Sequence, residues 1–394
     1  MTASPVTTVL QGQTLAFKAD PFVVGPDAAV TFESSGAVAI ADGKIIEVGP
    51  AADVMARHPG ARVEQYPGDL IMAGFVDCHV HYPQIDIIAS YGEQLLEWLE
   101  KYTFPAEAKF IDPAHAGNAA HRFLDECLRN GITTSSVYCT VHPSSVDAFF
   151  AAARARKFAM AAGKVMMDRN APADLSDTAE SGYAESKALI ERWHGVDRLT
   201  YVVSPRFAVT STAEQLSAAG DLWKEYPTTL MQTHLSESVY EVDLVKTLHP
   251  SAPDYLGIYE QHGLVGPGSN FGHAIHLSPR EIALLSESGS GLSHCPTSNL
   301  FIGSGLFDMQ SLRDCEKPVR VGIATDVGGG SSFSIFQTMK ASYEICQLQG
   351  YNLHPAKAYY LATVGSAQVM RLDHRLGNLS AGNDADIIVL DLKS

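Results

Sequence analysis

The sequence predicts an α/β protein: a (β/α)8 TIM barrel carrying a small β-sandwich domain built from both termini. Three observations carry that expectation. Eight near-continuously apolar segments, at 70–77, 132–139, 163–168, 200–204, 229–234, 270–274, 291–295 and 320–325, alternate with helical stretches, as expected for parallel strands buried on both faces. Residues 1 to about 70 instead read as short strands and turns, and the chain returns to a short strand at 386–391. At 394 residues the chain has length for one barrel and one small domain. The expected division is 1–70 plus 371–394 for the small domain and 71–370 for the barrel.

Each element has a local reason. Short strands are expected at 14–17, 29–32, 37–40 and 44–49, the last following an Asp42-Gly43 turn that signals a hairpin. Asp112-Pro113 opens a helix that runs to Asn130 and stops at Gly131. Ser278-Pro279 opens another that ends near Gly289. No short-period repeat or low-complexity linker interrupts the pattern.

Composition removes several classes of function. Charged residues are 18% and apolar residues 46%, an ordinary globular balance without disorder bias. A formal charge of −16 argues against nucleic acid or an anionic membrane as partner, and favours a small uncharged or cationic ligand. The six cysteines (Cys78, Cys127, Cys139, Cys295, Cys315, Cys346) form no C-x-x-C, so neither a disulfide framework nor a zinc ribbon is suggested. Residues 1–17 lack a basic segment followed by a long apolar run, and no stretch approaches a membrane span. A cytoplasmic location is expected.

Barrel chemistry sits at the carboxyl ends of the strands. His79 and His81 close the first predicted strand, and residues two apart on a strand share a face, so both imidazoles can aim at one point. His234 closes the fifth, His273 the sixth, and Asp326 follows the eighth. Any one of these alone reads equally as a satisfied core or loop residue. Together, three histidines and one carboxylate with a position left for water describe a hydrolytic metal site.

At this point the chain resembles the amidohydrolase superfamily, and within it the guanine deaminase family. The superfamily likeness rests on those strand-end residues and on the ending Gly377-Asn378-Leu379-Ser380-Ala381-Gly382-Asn383-Asp384-Ala385-Asp386. Four segments are similar to guanine deaminases: 95–107 (LLEWLEKYTFPAE), 163–168 (GKVMMD), 204–207 (SPRF) and 293–299 (SHCPTSN). The resemblance also leads to an expectation of further residues after Ser394 completing the small domain.

The resemblance implies His79, His81, His234 and Asp326 as ligands of one divalent metal ion, usually Zn2+, although the same donor set accepts Fe2+. Binuclear relatives carry a carbamylated lysine after strand 4, where this chain has Ser204-Pro205-Arg206, so a single metal is expected. His273 then becomes a donor near the attacking water or the leaving group. Asp326 is expected to orient the water and hold its proton. Glu237, three residues after His234, is expected to carry protons to a purine nitrogen. Its ordinary alternative is a dipole-favouring glutamate at a helix start.

Substrate recognition is expected from Gln84 and Arg206, with Phe207, Trp98 and Leu99 as apolar walls of a purine pocket. For Leu95, Leu96 and Leu99, the residues alone favour an amphipathic helix packed on the barrel. Gly328-Gly329-Gly330 lacks a following Gly-Lys-Ser/Thr and reads as a flexible loop beside the site. The implied activity is hydrolysis of guanine to xanthine and ammonia by a cytoplasmic homodimer. The nearest alternative is another aminohydrolase of this fold, acting on 8-oxoguanine, cytosine, a triazine or an adenosyl nucleoside. A cytidine-deaminase-type zinc enzyme needs H-x-E with P-C-x-x-C, and neither spacing occurs. A non-catalytic barrel scaffold fits poorly with an intact ligand set.

Overall fold

The computed structural model describes residues 7–92 and 94–393. The amino-terminal strands are β1 (Thr8–Phe17), β2 (Val30–Ala41), β3 (Lys44–Pro50) and β4 (Arg62–Ala73). Next come β5 (Phe75–His81), β6 (Ile132–Tyr138), β7 (Ala159–Gly163), β8 (Val165–Met166) and β9 (Thr200–Pro205). The last are β10 (Leu230–Leu235), β11 (Ser269–His273), β12 (Gly291–His294), β13 (Arg320–Ile323) and β14 (Ile387–Leu390). Two sheets result.

The larger sheet runs β13-β12-β11-β10-β9-β7-β6-β5, every neighbouring pair parallel, with the short β8 paired to β9. Its ends meet just beyond β13. His81 N donates to Val327 O at 2.8 Å and Asp326 N to His79 O at 3.1 Å, which closes the ring and sets Asp326 beside the histidine pair. Helices alternate with the strands as expected. That at Pro113–Arg129 is capped by Asp112, whose carboxylate accepts from Ala114 N at 2.9 Å. That at Pro279–Ser288 has a Ser278/Glu281 capping box and ends on Gly289 at φ 70°. Among the described residues no helix is long and apolar enough to cross a membrane.

Two strand boundaries differ from the sequence reading. The apolar run 70–77 is split: Leu70–Ala73 pairs with β14 in the smaller sheet, while the barrel strand begins at Phe75. Gly74 makes the switch, because a Cβ there would lie 2.3 Å from the Thr133 side chain. An unbroken apolar run hides a change of sheet. The third barrel strand lies at Ala159–Gly163, earlier than the predicted 163–168, of which only Gly163 and Val165–Met166 are strand. Its alanines carry no β signal, and burial against neighbours decides the conformation instead.

The termini meet in one five-stranded sheet, β14-β4-β1-β2-β3, where the sequence suggested a sandwich. The predicted strands at 29–32 and 37–40 belong to one long strand, β2. Register shifts at Gly12/Thr14 and Ala39/Ile40 interrupt its ladders. Alternation then gives each face its own small apolar cluster, Val9, Ala37, Ala39, Ala51 and Val54 in one, Val38, Ile45, Ile71 and Leu379 in the other.

Candidate active site

The carboxyl ends of β5, β10, β11 and β13 converge on one cavity. His79 and His81 end β5, and His234 lies one residue from the end of β10. The ligating nitrogens of these three buried histidines lie within 4.8 Å of one another. The Asp326 carboxylate joins them, with Oδ1 3.4 Å from His79 Nε2 and 3.5 Å from His81 Nε2. A second grouping within 4.8 Å combines His79, His273 and Asp326 with Cys295. The Cys295 thiol is already used, donating to Ser293 O at 3.4 Å, and burial pushes its pKa well up, so it stays protonated. The three histidines with Asp326 are the better donor set.

The histidine nitrogens fit a cation. His234 Nδ1 donates to Arg206 O at 2.7 Å, which leaves Nε2 facing His81 Nε2 at 3.2 Å. Burial, then neighbouring positive groups, holds His81 and His234 well below the ordinary value, so both are neutral imidazoles. Both nitrogens of His79 and Nδ1 of His81 have no hydrogen-bond partner. Buried polar atoms left this way cost about 1–3 kcal/mol each, and a divalent ion taking one nitrogen of each ring offsets part of that cost.

Support comes from beneath and behind. Asp77 accepts from Thr325 N at 3.1 Å and from Thr325 Oγ1 at 2.5 Å, tying β5 to the segment that carries Asp326. Burial pushes the Asp77 carboxyl up to about 7, against those hydrogen bonds. The Tyr138 ring stacks on His81 with centroids 4.5 Å apart. Three strand ends turn sharply here: Ser236, His273 and Asp326 have φ of 47°, 67° and 49°. Such left-handed backbone at non-glycine residues is characteristic of functional sites.

Glu237 resolves between its two readings. The helix at Val239–Leu248 is capped by Ser238 and Glu241, and the Glu241 carboxylate also accepts from Glu237 N at 2.8 Å. Glu237 thus lies ahead of the helix and lines the cavity. Burial pushes its pKa up to about 7, with His273 opposing. His273 Nε2 lies 3.4 Å from Glu237 Oε2 and 3.8 Å from Asp326 Oδ2, while its Nδ1 donates to Asn299 Oδ1 at 2.9 Å. Burial alone would lower the His273 pKa, but the Glu237 and Asp326 charges hold it above the ordinary value. Asp326 itself stays low, at about 2: burial works against this, and the surrounding histidines outweigh it.

All the residues expected to bind substrate, Gln84, Arg206, Phe207, Trp98 and Leu99, line this same cavity. Leu95 lines it too, although its sequence pattern had suggested packing alone. Gly328–Gly330 is no flexible loop but a buried turn. A Cβ at Gly330 would lie 1.8 Å from Thr325 O, and one at Gly329 2.7 Å from Ser298 Oγ. Sequence reasoning assigned no role to Glu107 or Ser304. Ser304 Oγ donates to Glu237 Oε1 at 3.3 Å, and Glu107 binds both Arg206 and Gln84. A glutamate in the 95–107 segment offered the only signal for the former pair of contacts.

The amidohydrolase family model matches residues 70–394. Guanine deaminase of Escherichia coli K12 is 47% identical over 364 residues, 92% of this chain and 82% of that one. The crystal structure of guanine deaminase from Bradyrhizobium japonicum superposes with a TM-score of 0.95 at 35% identity, covering 98% of this chain and 88% of that one. A guanine deaminase from C. acetobutylicum, with guanine bound in its active site, superposes with a TM-score of 0.89 at 26% identity, covering 97% and 90%. The chain belongs to the amidohydrolase family of metal-dependent hydrolases and, within it, to the guanine deaminases.

Proposed function

We propose that this chain hydrolyses guanine to xanthine and ammonia with one divalent ion held by His79, His81, His234 and Asp326. The supporting observation is the convergence of three buried histidines and Asp326 beside a cavity lined by a carboxyl whose pKa burial pushes up to about 7 and by an arginine–glutamine pair. A divalent ion bound there supplies a nucleophile from water at neutral pH. Zinc suits the nitrogen-rich donors, iron(II) uses the same set, and elemental analysis separates them.

The side chains divide the proton work. Asp326 stays ionised and orients the attacking water. Glu237 takes the first proton as the C2–O bond forms and delivers it to the ring nitrogen beside C2, a transfer suited to a group with pKa near the working pH. Asp326 accepts the second proton from the new hydroxyl, and His273, beside both carboxyls, relays it to the amine as the C2–N bond breaks, which leaves the carbonyl of xanthine and ammonia. Arg206 donates to O6 and Gln84 reads the neighbouring edge. Phe207, Trp98 and Leu99 close over the base.

Metal-loaded protein mixed with guanine should release ammonia and form xanthine in equal amounts. Turnover of cytosine, a triazine, 8-oxoguanine or an adenosyl nucleoside with none of guanine would overturn the substrate and leave the fold standing. The proposal also takes the protein to be a cytoplasmic homodimer, so light scattering should give twice the chain mass of 42.3 kDa.

A further inference from the structure

Glu107 is fully buried, is ion-paired with Arg206, and among the described residues has no hydrogen bond or ion pair with the candidate metal ligands or Glu237. It sits at the end of a short helix, Phe104–Glu107, in the segment that follows β5. From there it reaches two of the residues assigned to recognition. Oε1 accepts from Gln84 Nε2 at 2.8 Å and from Arg206 Nη1 at 3.0 Å, while Oε2 accepts from the same Nη1 at 2.8 Å. Arg206 and Gln84 are each only 2% exposed, so the three groups form one buried cluster.

Two consequences follow from elementary chemistry. A carboxylate has no proton to give, so Gln84 must turn its NH2 toward Glu107 and its carbonyl away. Both Glu107 oxygens engage a single arginine nitrogen, and Arg206 Nη2 has no hydrogen bond among the described residues. The cavity is therefore offered the Gln84 carbonyl as an acceptor and the N–H groups of Arg206 that Glu107 does not engage as donors. A lactam edge, C=O beside N–H, matches that pair. An amino-purine edge, NH2 beside a bare ring nitrogen, presents the reverse. Glu107 also offsets the arginine charge, so Arg206 itself adds little attraction for an anionic base.

We propose that Glu107 is a positioning residue that makes the site specific for a neutral lactam base, by locking the Gln84 amide and neutralising Arg206. This rests on the proposed guanine reaction, and it adds a reason for product release. Xanthine is a stronger acid than guanine, since a carbonyl replaces the amino group. An uncompensated arginine would retain its anion.

The test compares wild-type metal-loaded protein with Glu107→Gln. For guanine, KM should rise more than kcat falls, with metal content unchanged. The preference for guanine over 2,6-diaminopurine, measured as kcat/KM, should drop about tenfold, because Gln84 is free to turn over. Glu237 and His273 face the same cavity and titrate in both proteins, so wild type sets the baseline. The gain in xanthine affinity from pH 6 to pH 9, measured by calorimetry, should be about tenfold larger in Glu107→Gln than in wild type, the scale of one charged hydrogen bond. An unchanged purine preference together with a wild-type pH profile for xanthine would overturn the assignment. If Glu107→Gln fails to fold, Glu107→Asp decides the matter: it keeps the charge, so xanthine binding should stay wild-type in its pH profile while KM for guanine rises. A wild-type KM in Glu107→Asp would overturn the assignment too. Wild-type protein that binds these bases but releases no ammonia from guanine would instead bring down the reaction, with the Glu107 comparison still readable from xanthine binding.

Discussion

Two buried polar clusters lie beyond the ends of barrel strands, and they differ in one respect. Lys164, just after β7, is fully buried and pairs with the Asp177 carboxylate, with Glu185 3.3 Å away. Asp177 in turn accepts from Gln215 Nε2 at 2.6 Å and from Met167 N at 3.1 Å. Each of its charged groups is met by protein. In the other cluster, His79 has no hydrogen-bond partner on either nitrogen, and His81 none on Nδ1. Gln215 Oε1 has no partner among the described residues, but every charge of the first cluster is paired, so that cluster reads as structure and the converging unpartnered histidines as a place kept for something that is not protein.

The largest expected effect tests the second half of that contrast. His81→Ala removes one donor from the histidine set. Bound metal per chain should fall sharply and guanine turnover should drop below detection, while circular dichroism stays that of wild type. Full metal content with normal turnover would mean that the unpartnered nitrogens are an accident of packing. Glu237→Gln comes next. The amide keeps the shape of the protonated carboxyl but cannot exchange protons, so kcat should fall by about 10²–10⁴ with metal content unchanged.

The first half of the contrast predicts the opposite behaviour at Lys164. Lys164→Met leaves the Asp177 carboxylate buried without its cation, which costs about 3–5 kcal/mol in comparable sites. Urea unfolding should show a loss of that order, while the folded fraction keeps its kcat for guanine. Adding Asp177→Leu should return most of the stability, because an apolar pair of similar volume tolerates burial better than a lone charge. A Lys164→Met protein that folds normally but has lost turnover would place this cluster in the chemistry and dissolve the distinction.

What the sequence disclosed follows the same line. His79, His81, His234, His273 and Asp326 were legible because a parallel barrel places strand ends on one face, so position along the chain translates into position in space. Glu107 was not legible. Its contacts with Arg206, 99 residues away, and with Gln84, 23 away, depend on how the segment after β5 folds over the barrel mouth. The switch at Gly74 was hidden for another reason. Leu70–Val76 is apolar on both sides of the glycine, and two different sheets make the same demand for hydrophobic residues. Leu95 shows a third limit, since one buried leucine can pack on the barrel and line a cavity at once.

His294 sharpens the contrast most, although its effect is the smallest. It ends β12, is fully buried, and like His79 has no partner on either ring nitrogen. It does not belong to either close grouping of candidate ligands, and its ring instead stacks on Phe307 with centroids 4.3 Å apart. Lack of a partner is therefore not enough to mark a ligand; several donors must also converge. Burial, with the His273 charge adding to it, lowers the His294 pKa from the ordinary 6.5 to about 3. Between those values the unfolded chain binds a proton that the native state refuses. Stability should accordingly fall as pH drops from 6.5 toward 3, with a slope from this residue of up to about 1.4 kcal/mol per pH unit. His294→Leu should remove that part of the acid slope in urea unfolding across the same window, and leave metal content unaltered. An unchanged slope would mean that His294 is protonated or hydrogen-bonded in the native protein, whereas a loss of metal would place it among the ligands after all.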